Sequence, residues 1–199
     1  PGWRVPRTRA VVEAAVAAVL EQRVTGQEAH RSWRLLVGGH GEPAPTAPGA
    51  PPGLRVPPAP SGWAAIPSWD WTRAGVDGTR RRTVLAVVAA AGRLEATLDL
   101  DPVEAERRIR SLPGVGVWTA AEVRHRAHGD PDAFSWGDFH VARDVSWALV
   151  GTVLDDAGCA EVVEPYRGHR YRVQRLLELD RAHRPRRGPR RPLPTHLGS

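Results

Sequence analysis

The chain has 199 residues, 41% of them hydrophobic, with 28 basic and 22 acidic residues, which is enough apolar material for one compact domain with a sizeable core. No apolar run reaches the roughly 18–20 residues of a membrane span, and no secretory signal is visible. A single cysteine, Cys159, excludes an internal disulfide framework and fits a reducing, cytoplasmic setting, while a start at Pro1 without any methionine reads as a piece of a longer product.

Helices are expected to carry the fold. Thr8–Gln22 places apolar residues at 11, 12, 15, 16, 19 and 20, a helical spacing with a wide buried face. Gly26–Leu36 reads as a second helix, with Thr25 as its candidate cap. Residues 38–60, rich in Pro, Gly and Ala, read as a long loop with an extended stretch near Leu54–Val56. Helical turns follow near Ser61–Ile66 and Trp69–Ala74. Asp77-Gly78 makes a turn, and Thr79–Gly92 is a helix ended by glycine. Pro102–Ser111 reads as a helix with proline at its first position, and Leu112-Pro113-Gly114 stops it. Val117–His128 is the next helix, and residues 129–137 form a loop. Phe139–Leu149 is helical, with apolar residues at 141, 145, 148 and 149. A Gly/Asp-rich loop then leads to Tyr166–Arg181, a closing helix with Val173, Leu176, Leu177 and Leu179 on its apolar side. Up to residue 180 the 22 acidic residues are matched by as many arginines, so the +6 surplus sits in a Pro/Arg-rich tail over 181–199. Such a tail cannot build a core and either stays solvated or trails across phosphates.

The most informative stretch is 112–138. Gly114 and Gly116 can take backbone angles closed to other residues and allow close approach. The helix that follows offers N–H groups without internal partners at the positive end of its dipole, a site for an anion. The plain alternative is an ordinary glycine-stopped connection between helices. Asp138 stands before the next helix, where an aspartate is either an N-cap or a fixed, ionised carboxylate available for chemistry, and the two roles are compatible.

This segment resembles the helix-hairpin-helix DNA glycosylase superfamily, in which such a hairpin precedes a Gly/Pro-containing loop and an essential aspartate. It is most similar to the DNA-3-methyladenine glycosylase II branch, whose Gln-x-(Val/Ile)-(Ser/Thr) segment is matched by Gln22-Arg23-Val24-Thr25. The resemblance implies an all-α fold, its helices packed around a cleft, as one domain over residues 1–180. The hairpin falls at 102–128 and the catalytic loop and helix at 129–149. It implies hydrolysis of an N-glycosidic bond in a flipped nucleotide, with Asp138 stabilising an oxocarbenium-like transition state. DNA contacts are implied for Gly114, Gly116, Thr119, Gln22 and Arg23, the last as the wedge that fills the gap. A base pocket is implied around Trp118, Trp136 and Phe139, with Glu122 standing where the family can carry a pocket tyrosine. Backbone carbonyls of Arg110, Leu112 and Val115 would hold a Na+ or K+ ion.

Composition sharpens these expectations. All 28 basic residues are arginine, and Trp118 stands where strand-cutting relatives carry a lysine nucleophile. Arginine cannot take that role because it stays protonated, so a monofunctional enzyme without lyase activity is expected. One cysteine cannot hold an iron–sulfur cluster, and no cofactor is required. Eight tryptophans suit recognition of a cationic alkylated base such as 3-methyladenine or 7-methylguanine. Of these, Trp33, Trp63 and Trp147 are expected in the core. Arg124, Arg126 and Arg143 are candidate phosphate contacts, and His125 and His128 read as surface or phosphate-facing residues. The partner expected is double-stranded DNA carrying a damaged base, bound by a monomer near the nucleoid without membrane contact. The alternatives are a non-catalytic DNA-binding or damage-sensing module, and a monofunctional glycosylase for oxidised or deaminated bases.

Overall fold

The computed structural model describes residues 2–45, 49, 51–182 and 184. The described residues fall into two compact units, 5–130 and a smaller one formed by 131–182 and 184 with 2–4. Both are helical. In chain order the larger unit holds α1 (Val11–Leu20), α2 (Gly26–His40), strands β1 (Glu42–Pro43) and β2 (Arg55–Val56), and α3 (Pro60–Ala65). It continues with α4 (Ser68–Arg73), α5 (Gly78–Ala89), α6 (Ala91–Glu95), α7 (Pro102–Arg110) and α8 (Val117–Val123). The smaller unit holds α9 (Val141–Val150), α10 (Asp156–Val163) and α11 (Arg170–Leu179).

The core of the larger unit gathers around α1, whose Val11, Val16, Ala18, Val19 and Leu20 are fully shielded from solvent. Trp63 and Trp71 lie in that core, and Trp33 packs on Trp63 with ring centroids 6.0 Å apart. Helix α1 has no cap of its own. Glu95, at the end of α6, supplies one, its two carboxylate oxygens accepting the N–H groups of Val11 (3.1 Å) and Val12 (2.9 Å). That satisfies donors that would otherwise be orphaned and puts a negative charge at the helix's positive end. Thr25 and Glu28 cap α2 reciprocally as a capping box. The extended residues near 55 pair antiparallel with β1, Glu42 opposite Val56, giving this stretch more order than a plain loop.

The smaller unit has its own core of Phe134, Ala142, Val145, Cys159 and Val163, with Trp136 packed against it. Cys159 is fully buried, and burial, with Asp156 nearby, pushes its thiol up to about 11. Helix α10 falls in the stretch expected to be a Gly/Asp-rich loop. Asp155 starts it by accepting the Gly158 N–H at 2.9 Å, and Cys159 and Val163 bury one face. Two other expectations change. Trp147 lies on the outer side of α9, 37% exposed, rather than in the core. The closing helix starts only at Arg170, because Gly168 adopts a left-handed backbone (φ +86°) that a helix cannot continue through. Of the arginine tail, Arg181 and Arg184 are described, Arg184 pairing with Asp144 at 3.0 Å, and the remaining arginines lie outside the described residues.

Candidate active site

The hairpin of α7, turn and α8 belongs to the larger unit. Asp101 caps α7 by accepting the N–H groups of Val103 (3.0 Å) and Glu104 (3.1 Å), and the Val115 N–H closes the turn on the Leu112 carbonyl at 3.1 Å. The two glycines do different things. Gly114 has φ +80°, and a Cβ built on it would lie 2.2 Å from Thr83 Oγ1, so both its backbone angle and its contact with α5 require glycine. Gly116 is extended (φ −92°), which any residue can adopt, and a Cβ there would meet nothing within 4 Å. The special backbone expected at both positions is therefore present only at Gly114. What Gly116 contributes is bare space in front of the first amides of α8.

Gln22 and Thr119, both expected to reach DNA, bind each other. Gln22 Nε2 donates to Thr119 Oγ1 at 2.8 Å and to the Gly114 carbonyl at 3.0 Å, and Thr119 is buried. Next to Gln22, Arg23 is exposed and takes a left-handed backbone (φ +58°), which non-glycine residues rarely adopt. Trp118 is half-buried at the start of α8.

Past α8 the chain runs on as a π-helical turn, Arg124–His128, not as the single α-helix expected to His128. Its carbonyls at Arg126 and Ala127 accept the N–H groups of Thr8 and Arg9, both at 3.1 Å, from the N-terminal strand of chain. Two arginines read as phosphate contacts are committed elsewhere. Arg124, nearly buried, forks onto Asp130 and also meets Glu106. Arg126 reaches Glu21 (2.9 Å) and Glu122 (2.7 Å), and Glu122 also meets His125 at 3.2 Å. The histidines are not surface residues either: His125 is buried, and half-buried His128 places Nε2 3.0 Å from Thr97 Oγ1.

Burial holds His128 below its ordinary pKa, hydrogen bonds to Val123 and Thr97 oppose this, and Arg7 and Arg124 add to the depression. The unfolded chain therefore takes up a proton near pH ~6.5 that the folded chain refuses. The stability supplied by neutral His128 is complete above that pH and is lost as pH falls toward its depressed folded value. The melting temperature is expected to drop between pH 7.5 and pH 5, and a His128→Gln variant to lose part of that slope. Equal slopes in the two proteins would refute the assignment.

In the smaller unit, the loop before Asp138 is pinned from outside itself. Asp132 accepts the N–H groups of Gly168 (2.9 Å) and Arg170 (3.0 Å) and pairs with the Arg170 guanidinium, which together overcome burial and hold its carboxyl below the usual range. Gln174 bonds both the N–H and the hydroxyl of Ser135, each at 3.1 Å, and the Gly137 N–H donates to Asp156 Oδ2 at 2.8 Å. No local sequence signal marks Arg170, Gln174 or Asp156 for this work, because they lie 19–39 residues away.

Asp138 is half-buried, and its Oδ1 accepts the N–H groups of His140 (2.7 Å) and Val141 (3.0 Å). It thus tethers the start of α9, which begins two residues later than expected, with His140 at the cap position. Oδ2 makes no hydrogen bond among the described residues. Phe139 beside it is 70% exposed, with the Arg143 guanidinium 5.1 Å from its ring centre and the His140 ring edge-on at 4.8 Å. Trp136 packs against Phe134, the rings tilted by 38° with centroids 4.2 Å apart. Trp136 and Phe139 therefore stand with Asp138 in one unit, and Trp118 with the hairpin in the other.

No protein-family model matches the sequence. Among curated proteins, the chain is 35% identical over 145 residues to the probable bifunctional transcriptional activator/DNA repair enzyme AlkA of Mycobacterium tuberculosis. The match takes in 69% of this chain but only 27% of the relative. Among solved structures, 3-methyladenine DNA glycosylase from Archaeoglobus fulgidus superposes with a TM-score of 0.75 at 21% identity, over 89% of this chain and 61% of that one. The chain has the fold of a helix-hairpin-helix DNA glycosylase. A similar fold is found in the Clostridium acetobutylicum 8-oxoguanine glycosylase/lyase bound to double-stranded DNA, with a TM-score of 0.65 at 14% identity over 89% of this chain and 62% of that one. The shared fold thus accounts for the hairpin, while the reaction depends on individual side chains.

Among the described residues no three His, Cys, Asp or Glu side chains are grouped to hold a metal, and no helix is long and apolar enough to cross a membrane. Carbonyls remain as donors at the hairpin. Arg110 ends α7, where carbonyls outrun their helical partners, and the Leu112 carbonyl accepts one N–H and keeps a second lone pair.

Proposed function

We propose that this chain is a monofunctional DNA glycosylase that hydrolyses the N-glycosidic bond of alkylated bases of the 3-methyladenine and 7-methylguanine type, in duplex DNA. The observation that carries the reading is Asp138, a carboxylate fixed through one oxygen by two backbone N–H groups, which leaves the other oxygen to face a substrate. The names of the relatives support the substrate class, since the M. tuberculosis protein is named a DNA repair enzyme and the A. fulgidus structure a 3-methyladenine glycosylase.

The chemistry needs the nucleotide outside the base stack, since its C1′ is unreachable within it. In this reading the amides after Gly116 hold a DNA phosphate, with a Na+ or K+ ion on the carbonyls of Arg110, Leu112 and Val115 helping to fix the backbone. Arg23 occupies the gap left by the extruded base. Trp136 and Phe139, in the same unit as Asp138, offer π faces to the base, whose positive charge they attract. As the C1′–N bond lengthens, positive charge grows on the sugar, and Asp138 stabilises it and orients the water that adds to C1′. The base departs with the bonding pair, and one proton of the water is released. The sequence holds no lysine, so no Schiff base forms and the abasic strand stays whole. The working state is a monomer in the cytoplasm.

The test is incubation with a methylated duplex. Free 3-methyladenine and 7-methylguanine are expected, with strand breaks only after alkali. Tight duplex binding without base release would sink the enzymatic reading, and breaks before alkali would sink the monofunctional one. A second expectation isolates the phosphate site. Gly116→Ala has room and an ordinary backbone, so the melting temperature should hold. Its methyl group crowds the bare amides, and duplex affinity should fall roughly tenfold, about one hydrogen bond to a charged group. Unchanged affinity in a filter-binding titration would place the phosphate elsewhere.

A further inference from the structure

The short turn between α1 and α2 is held at each residue that leads into Arg23. The Leu20 carbonyl accepts from the buried Arg80 guanidinium at 3.0 Å. Glu21 pairs with Arg126 from beyond α8 at 2.9 Å. Gln22 bonds the hairpin twice, to the Gly114 carbonyl in the turn and to Thr119 in the first turn of α8. Arg23 then projects from a left-handed backbone, exposed, directly after the last of these ties. Among the described residues only Arg9 and Arg181 share that backbone region without being glycine. An unfavourable local conformation persists where its surroundings over-determine it, and here the surroundings are the hairpin itself.

We propose that Gln22 is a positioning residue that couples the turn bearing Arg23 to the phosphate-binding hairpin, so that gripping the DNA backbone and displacing a base occur through one rigid piece. The assignment rests on the reading of the hairpin as the phosphate grip and of Arg23 as the wedge. Its chemistry is specific. The Gln22 amide gives both of its bonds as a donor, one to a carbonyl that cannot move without moving the turn. Thr119, being buried, has that amide in place of water. Without the tie the hairpin still presents its amides, and Arg23 loses the direction that makes it a wedge.

The test uses Gln22→Ala and Thr119→Val, which remove the two ends of the same bond, with melting temperatures to establish that each variant is folded. The first readout needs no catalysis. A duplex with 2-aminopurine opposite a mismatch is titrated, and fluorescence reports extrusion while anisotropy reports binding. The parent should raise the fluorescence. Both variants should bind within about threefold of the parent and lose most of the rise, because extrusion rather than phosphate contact is impaired. The second readout is single-turnover base release from a paired lesion and from one opposite an abasic site, where extrusion costs little. A loss of about tenfold or more on the first duplex and under about threefold on the second is expected.

Equal losses on both duplexes, binding that falls in step with extrusion, or variants that extrude like the parent would each overturn the proposal. A parent that binds without raising the fluorescence would overturn it as well. A parent that extrudes 2-aminopurine and releases no alkylated base would instead count against the glycosylase reading, with the coupling still read by the first measurement.

Discussion

Replacing Asp138 with asparagine should cut base release from methylated DNA by on the order of a hundred- to a thousandfold, the scale on which removal of one preorganised electrostatic partner slows such reactions. The fold should survive. Asparagine keeps an oxygen in the place of Oδ1, so the N–H groups of His140 and Val141 retain their acceptor and α9 its start. What disappears is the charge. Its loss near a helix N-terminus costs about 0.3–1 kcal/mol, a shift of roughly 1–4 °C in a protein of this size. Asp138→Ala removes tether and charge together and should lose a further ~1 kcal/mol, typical of a lost cap. Single-turnover base release and thermal melting of the two variants separate these roles. If the asparagine variant kept more than about a tenth of the parent rate, well outside the range expected for such a group, Asp138 would be a cap and nothing more.

Gly114→Ala should be the most damaging substitution in the hairpin. Two costs add: about 1–2 kcal/mol for a side chain on a left-handed backbone, and about 1–3 kcal/mol for forcing a methyl against a packed neighbour. The neighbour is known, since the new Cβ would lie 2.2 Å from Thr83 Oγ1 and 3.1 Å from its Cγ2. A total near 3 kcal/mol lowers the melting temperature by roughly 6–12 °C. Adding Thr83→Ala removes the clash but not the backbone cost, so the double variant should recover more than the sum of the single effects allows. Additive losses would mean that the turn relieves the overlap by moving, and that Thr83 does not define it. The contrast with Gly116, where a methyl meets open space, makes the pair of glycines a check on the whole hairpin geometry.

The hairpin and the Asp138 turn were legible in the sequence because their signals are local. Pro102, Pro113 and the glycines punctuate the chain within a few residues, and an aspartate before an apolar helix is a cap whatever the tertiary fold. The reasons those residues matter were less legible. That Gly114 is indispensable and Gly116 is not depends on Thr83, 31 residues earlier, and on which glycine takes a positive φ. Gln22, Thr119, Arg124 and Arg126 carry the polar groups of DNA-contacting residues, yet the structure spends those groups on internal bonds to residues 4–105 positions away. Helix α10 was hidden by Gly158, which lowers helix propensity in a segment that tertiary burial of Cys159 and Val163 stabilises anyway. The cap on α1 lies in Glu95, more than 80 residues distant, where no pattern around α1 could reveal it.

Cys159 has a bearing on survival among electrophiles. Methylating agents that damage DNA also attack soft nucleophiles, above all thiolates, and with its thiol pushed up to about 11 only on the order of one molecule in ten thousand carries the reactive anion at neutral pH. Full burial removes even that fraction from contact with dissolved reagent. The chain also contains no methionine and no lysine, so thioether and side-chain amine targets are absent as well. The chain thus keeps its one sulfur atom inside the packing that holds α9 and α10 together, where dissolved electrophiles do not reach.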